Sequence, residues 1–465
     1  MQTNSHVVFV NVASTGHMNP TRPVVAELTE RGFEVTYFVE ATMRDVVVAA
    51  GAAWHPLDNP RDNLDPAISE KYVPADTPEH EYEWPNNMLM HAEHKLPKLL
   101  HDLQALQRPP SVIVYDPFLA HALLAAHVLQ VPAVSFLTMP GPGVLARPSA
   151  MVDAMEAQPW VQGPRMEIQK LYGFDLLEHG INMEFYSLCQ NIATTIDDLF
   201  APPWSERQIQ RFGQLSFKCV GALFNKKIKR IANAYCSNTS EDLPWERIEK
   251  ALSARIKLVY ISMGTVGTSH RFWNKKFGYM AHHNGLADCT GKEFVQHVFR
   301  TCFEALGNED SLLVIMSLGP QQDVLEGLPE PPQNFILRET VPQLDVLSRC
   351  HAFVTHGGAN SMHESLALGV PLAVVPMFAD QPINADSVAQ VGAGFSFKNP
   401  LETFTVPSLR DAVDKLVDSS DANTFRAAAR AMKTRMEDAG GATKAAEIIL
   451  NTVREDPTAK AIGGA

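Results

Sequence analysis

Residues 354–381, VTHGGANSMHESLALGVPLAVVPMFADQ, combine a histidine, a glycine pair and an acid–amide pair at spacings that suit chemistry on a phosphorylated sugar. A buried strand over 352–355 runs through His356-Gly357-Gly358-Ala359 into a helix, and a second buried strand over 372–376 ends just before Asp380-Gln381. Backbone N–H groups at such a turn, and the positive end of the helix dipole, converge on an anion. His356 adds a donor at the strand exit, and Glu364, inside the helix, can accept from sugar hydroxyls. Structural roles compete for three of these residues. Ser361 and Glu364 also spell a capping box, and Gly369 before Val370-Pro371 is an ordinary helix stop. Neither explains His356, the glycine pair or Asp380-Gln381. The constellation reads as a nucleotide-sugar site.

A second pair lies near the start of the chain. The first apolar run, 7–12, exits into Ser14-Thr15-Gly16-His17-Met18-Asn19-Pro20, where Asn19 as N-cap and Pro20 as first helical residue predict a helix over 20–31. His17 then falls in the loop before that helix. Asp116 follows another buried run, 112–115. In a doubly wound sheet the first and fourth strands are neighbours where strand order reverses, and ligands bind there. A histidine held by an aspartate is a general base. The competing reading has His17 ending a strand and Asp116 capping a helix.

The elements that must position these residues alternate. Strands are expected over 7–12, 34–39, 112–115 and 133–137, with helices over 20–31, 43–50 and 119–129 between them. The second half repeats the pattern: strands over 257–262, 312–316, 335–337, 352–355 and 372–376, and helices over 293–306, 423–439 and 442–454. Apolar strands alternating with helices imply parallel sheets covered on both faces. The expected fold class is therefore α/β, with two doubly wound, Rossmann-like domains facing a central cleft. Domain boundaries are set at 1–225 and 251–465 with a linker over 226–250, the last helices packing back towards the first domain. Between the two series the pattern is irregular, with a long mobile loop expected over 58–85 and a helix near 184–199.

Length and composition agree. At 465 residues the chain exceeds one compact core. Its 45% hydrophobic and 20% charged residues are those of a soluble globular protein. A net charge of -13 argues against nucleic acid or anionic membrane as the main partner. The basic run 226–230 is read as a linker or helix face. Six scattered cysteines, without CxxC pairs, point to free thiols, and with no apolar run long enough for a signal peptide or a bilayer, to the cytoplasm.

Other signals are weaker. Gly141-Pro142-Gly143-Val144-Leu145-Ala146 matches GxGxxA but follows a late strand. Asp58, Asp62 and Asp65 match no EF-hand, and His91, His94 and His101, read as a partly exposed helix face, lack a completing carboxylate. No Asp-x-Asp motif is present, so no metal site is expected.

On Gly16-His17-Met18-Asn19-Pro20, Val341-Pro342-Gln343 and 356–381, the chain resembles the GT-B-fold, family-1 UDP-glycosyltransferases, especially their macrolide-glycosyltransferase-like branch. The resemblance spans nearly the whole chain. It implies an inverting, metal-independent transfer of a hexosyl group to a hydrophobic hydroxyl acceptor, such as a polyketide, phenolic or sterol, bound near 139–199. It implies no cofactor beyond the UDP-sugar co-substrate, and a monomer or weak dimer. His17 would deprotonate the acceptor and Asp116 would orient His17. Thr265, His356, Gly358, Asn360 and Ser361 would hold the diphosphate, Gln343 would contact the uracil, Glu364 would take the ribose, and Val341 would belong to the donor site. Asp380 and Gln381 would bind the sugar, and Gln381 leans it towards glucose. A non-catalytic sugar-nucleotide-binding protein and a GT-B-type UDP-sugar epimerase are the alternatives. Two departures stand out. Thr340 occupies the place of the family's uracil-stacking tryptophan. Residues 269–291 look like an insertion, either an aromatic lid over the site or a self-packed excursion.

Overall fold

Apolar runs become strands wherever the sequence buries both faces. In the computed structural model, which describes residues 5–58, 64–181, 183–224 and 243–455, the first sheet is built from β1 (His6–Val10), β2 (Glu34–Val39), β3 (Ala53–Pro56), β4 (Val112–Tyr115) and β5 (Ala133–Leu137). A small antiparallel hairpin follows, β6 (Gly180–Ile181) with β7 (Glu184–Phe185), and then β8 (Gln190–Ala193) and β9 (Phe217–Cys219) complete the sheet. Its order is β3-β2-β1-β4-β5-β8-β9, all parallel. The second sheet joins β10 (Lys257–Ser262), β11 (Leu312–Ser317), β12 (Phe335–Arg338), β13 (Ala352–Thr355), β14 (Leu372–Val374) and β15 (Gly394–Ser396). Its order is β12-β11-β10-β13-β14-β15, again all parallel.

Each sheet reverses its strand order beside its own first strand, between β1 and β4 in one and β10 and β13 in the other. The chain divides into two compact units, Met1–Ile196 with Phe200–Ile228 and Ala439–Ala465, and Asp197–Leu199 with Lys229–Asp438. The last helix, Gly441–Glu455, belongs to the first unit and packs on the helix Thr15–Glu30 and on β4. Rings stack across neighbouring strands in both cores, Phe9 on Tyr37 at 5.3 Å and Tyr260 on Phe353 at 4.7 Å. Burying one such side chain contributes roughly 1.5–3 kcal/mol. Among the described residues no helix is long and apolar enough to cross a membrane.

Four local expectations are corrected. The helix expected near 184–199 is replaced by β7 and β8. Asn191 disguises the strand: its side chain accepts from Ser135 Oγ and Ser187 N–H and donates to the Ser187 and Ser216 carbonyls, so a polar residue sits satisfied inside the sheet. Within 58–85 there are helices at Pro66–Tyr72, where Asp65 accepts from the Ala67 N–H at 3.0 Å, and at Glu79–Tyr82. The helix after β1 begins at Thr15 rather than Pro20, because the Ser14 carbonyl already receives the His17 and Met18 N–H groups. His17 is thus in its first turn. Three aromatics of the insertion 269–291 turn inward: Phe272, Trp273 and Phe277 are buried, with the Phe272 and Phe277 rings each 5.3 Å from Phe378. An aromatic lid is not what these rings form. Most of the expected linker, and the basic run 226–230, lie outside the described residues.

Candidate active site

The turn after β13 depends on glycine. Gly357 has φ +80°, which an L side chain rarely adopts. The imidazole of His356 lies between two further glycines. A Cβ on Gly264 would come within 2.3 Å of the ring, and one on Gly358 within 2.5 Å. Gly264 follows β10 and His356 follows β13, so this meeting point is where the second sheet reverses its order. The helix Ala359–Ala367 starts at the same place and aims its N-terminus there. Asn360 and Ser361 lie in its first turn, and Thr265 is exposed on the short helix Gly264–Gly267.

The capping-box reading fails, because the N-cap is Gly358 and Ser361 already lies inside the helix. Glu364 turns instead to Gln343, whose Nε2 donates to Glu364 Oε2 at 2.6 Å and to Ser361 Oγ at 3.3 Å. Tyr260 OH donates to Gln343 Oε1 at 3.3 Å. Val341 and Thr340 lie half-buried just ahead of Gln343. Asp380 supplies the helix end from outside. Its Oδ2 accepts from the Ala359 N–H at 3.1 Å and from Asn384 Nδ2 at 2.7 Å, and the same Asn384 nitrogen donates to the Gly357 carbonyl at 2.8 Å. Gln381 Oε1 accepts from the Met377 N–H at 2.8 Å, which leaves its amide nitrogen as the donor for a ligand. The cluster offers helix N–H groups and an imidazole to an anion, and carboxylates to hydroxyls.

In the first unit, Asp116 and His17 meet where that sheet reverses. Val10 pairs with Tyr115, and the Asp116 N–H donates to the Val10 carbonyl at 3.1 Å, which fixes the carboxylate at the β1 exit. Asp116 is 2% exposed, and one oxygen accepts from the Phe118 N–H at 2.9 Å. The other accepts from His17 Nδ1 at 2.5 Å. A carboxylate can only accept, so the proton is on Nδ1 and Nε2 keeps its lone pair. The Phe118 ring lies 5.1 Å from that of His17. Asn11 Nδ2 donates to the His17 carbonyl at 3.2 Å and to Tyr37 OH at 2.7 Å, which anchors the turn that carries His17. An imidazole held in this way can act as a general base.

Comparison with known proteins finds glycosyltransferases. A model of the erythromycin biosynthesis protein CIII-like C-terminal domain matches residues 300–452. The uncharacterized UDP-glucosyltransferase YojK of Bacillus subtilis is 24% identical over 453 residues, 97% of this chain and 98% of its own. The oleandomycin glycosyltransferase of Streptomyces antibioticus is 26% identical over 454 residues, 96% of this chain and 90% of its own. The solved structure of the glycotransferase of kitacinnamycin superposes with a TM-score of 0.69 at 20% identity, covering 97% of this chain and all of that one. The chain is a GT-B glycosyltransferase.

Three residues of the glycosyltransferase's clusters escape a reading of the sequence. Asn384 stands one helical turn after Asp380, a legible spacing, yet its bond to the Gly357 carbonyl depends on how the turn folds. Asn11, and Thr138 with its Oγ1 3.5 Å from His17 Nδ1, leave no local signal. Other motifs are explained structurally. Gly141 and Gly143 of the GxGxxA match lie against backbone, where a Cβ would come within 2.4 Å of the Ala201 oxygen and 2.3 Å of the Pro202 oxygen respectively. His91 is buried while His94 and His101 are exposed, so the three do not share one partly exposed face.

Proposed function

We propose that this glycosyltransferase moves a hexosyl group, glucose by preference, from a UDP-sugar to a hydroxyl of a hydrophobic small molecule, with inversion and without a metal ion. The observation that carries the reading is the His17–Asp116 pair, with Nε2 left basic. A neutral imidazole is too weak to ionise an alcohol outright, so proton transfer accompanies attack on the anomeric carbon. A single in-line displacement inverts that carbon. Charge developing on the departing diphosphate is met by the N-terminus of the helix Ala359–Ala367 and by His356, with Thr265, Gly358, Asn360 and Ser361 around it. Gln343 is assigned to the base, Glu364 to the ribose, Asp380 and Gln381 to the hexose, and Val341 to the donor site.

The UDP-glucose preference rests on Gln381 and on the name of the Bacillus relative, a UDP-glucosyltransferase. A screen of UDP-sugars against phenolic, polyketide and sterol acceptors, read by mass spectrometry, tests the reading. Products of one added hexose with a β linkage from an α-donor, formed in excess chelator, are expected. A strict metal requirement or retention of configuration would overturn it.

A further inference from the structure

A cavity of about 390 Å³ lies in the first unit, walled mainly by Met88, Leu89, Met151, Met155, Trp160 and Ile181. Trp84, between the wall residues Glu81 and Asn86, has its ring 6.3 Å from Phe118, which in turn contacts His17. Trp84 and Phe118 thus lead from the segment that walls the cavity to His17. One carboxyl is set into this apolar wall. Glu184 is 3% exposed, and its partners are neutral: Tyr186 OH donates to Oε1 at 3.0 Å, and Gln208 Nε2 is 3.0 Å from each oxygen. The Gln208 amide is fixed in turn by donating to the Pro142 carbonyl at 2.8 Å.

Among the described residues no cation lies within ion-pair distance of Glu184. Arg147, also on the wall, acts on it only from farther away, and Glu156 is taken up by Arg211. His80 and Glu81 stand exposed at the rim. Burial pushes the Glu184 carboxyl up to about 8, against the lowering by Gln208, Tyr186 and Arg147. The wall thus holds a carboxylic acid rather than a carboxylate, and an un-ionised acid in an apolar site donates a hydrogen bond.

We propose that this cavity receives the acceptor and that Glu184, as an un-ionised acid, selects uncharged apolar molecules by donating to a carbonyl or ether oxygen. The inference rests on the transferase reading of the first unit. Gln208 donates to both oxygens and Tyr186 to Oε1, and the acid's own proton is the group left for a ligand oxygen. A ligand ammonium has no lone pair to accept that proton, so basic acceptors are disfavoured.

Binding of a neutral hydroxycoumarin, and of its aminomethyl derivative, would be measured at pH 6.5 by quenching of tryptophan fluorescence. Wild type would be compared with Glu184→Gln and Glu184→Leu. The Gln variant keeps a donor and should bind the hydroxycoumarin within about threefold of wild type, whereas the Leu variant should lose about tenfold or more. The aminomethyl derivative should bind wild type about tenfold more weakly than the neutral compound. Met155→Trp, which narrows the cavity with Glu184 intact, should also lose hydroxycoumarin binding. UDP affinity should be unchanged in all three variants, which shows that they fold. Unchanged hydroxycoumarin binding in Glu184→Leu, or a preference for the amine, would overturn the proposal. Glucosylation of hydroxycoumarin by an unaffected Leu variant would sink this inference and leave the transferase reading standing. Binding that responds to Glu184 without transfer from any UDP-sugar would do the reverse.

Discussion

Gln343 Nε2 donates to Glu364 Oε2 at 2.6 Å, tying the segment after β12 to the helix that follows β13. Both side chains are buried, and a hydrogen bond to a charged group is worth about 1.5–3 kcal/mol. The carboxylate proposed for the ribose is thus aimed by the amide proposed for the base. Glu364→Gln should weaken UDP binding about tenfold or more and raise the donor KM while kcat at saturating donor changes little. Gln343→Ala should weaken it in the same direction, because Glu364 loses its restraint. Titration calorimetry with UDP checks both. Unaltered affinity in either would remove the pair from the nucleoside site.

His17→Ala should abolish transfer and leave UDP affinity intact, since the residue lies in the other unit from the donor cluster. Asp116→Asn is the sharper test. The amide can donate to Nδ1 and so favour the tautomer with the proton on Nε2, the wrong one for a base. A fall in kcat of at least about a hundredfold is expected, by analogy with the much larger loss when a serine-protease triad is altered in this way. Retained transfer in His17→Ala would mean that another group takes the proton.

Much of this arrangement was legible from residue order. The expected limits of β2, β4 and β5 agree with the observed ones. The relation of His17 to Asp116 followed from sheet topology, because parallel strands with helical crossovers leave few orders to choose from. What stayed hidden were partnerships made by side chains rather than by pattern. Asn191 satisfies its amide inside β8, so the strand does not read as apolar. Glu364 stands at capping-box spacing from Ser361, yet pairs with a residue 21 positions away. The insertion's aromatics carry no mark of which way they face, and packing onto Phe378 settles it.

Acid should loosen the helix Ala359–Ala367. His363 sits within it, 3% exposed, its Nδ1–H donating to the Ala359 carbonyl at 2.7 Å. Burial lowers its pKa to about 4, more than that hydrogen bond raises it. A depressed folded-state value means that the unfolded chain takes up the proton first. The helix's stability is therefore fully present above pH ~6.5 and is lost progressively as pH falls towards 4, by at most about 1.4 kcal/mol per pH unit for this imidazole. Tm followed from pH 7 to 4 should fall less steeply in His363→Gln than in wild type. Parallel slopes would show that His363 is not titrating, whatever the variant's absolute Tm.

The glycines around His356 give a test that separates positioning from stability. A Cβ on Gly358 would sit 2.5 Å from His356 Nε2, and at this residue φ is -59°, so alanine fits the backbone and only the imidazole must move. Gly264 differs, because there φ is +72° and alanine adds backbone strain to a 2.3 Å encounter with the same ring. Gly358→Ala should therefore lower UDP affinity about tenfold with a Tm within a few degrees of wild type. Gly264→Ala should lower both affinity and Tm, the latter by an amount corresponding to roughly 1–2 kcal/mol of strain. Circular dichroism melts set beside UDP titrations read the two effects apart. If Gly358→Ala bound UDP as wild type does, the ring between the two glycines would not be the diphosphate's partner, and charge on the leaving group would have to be met by the helix N-terminus alone.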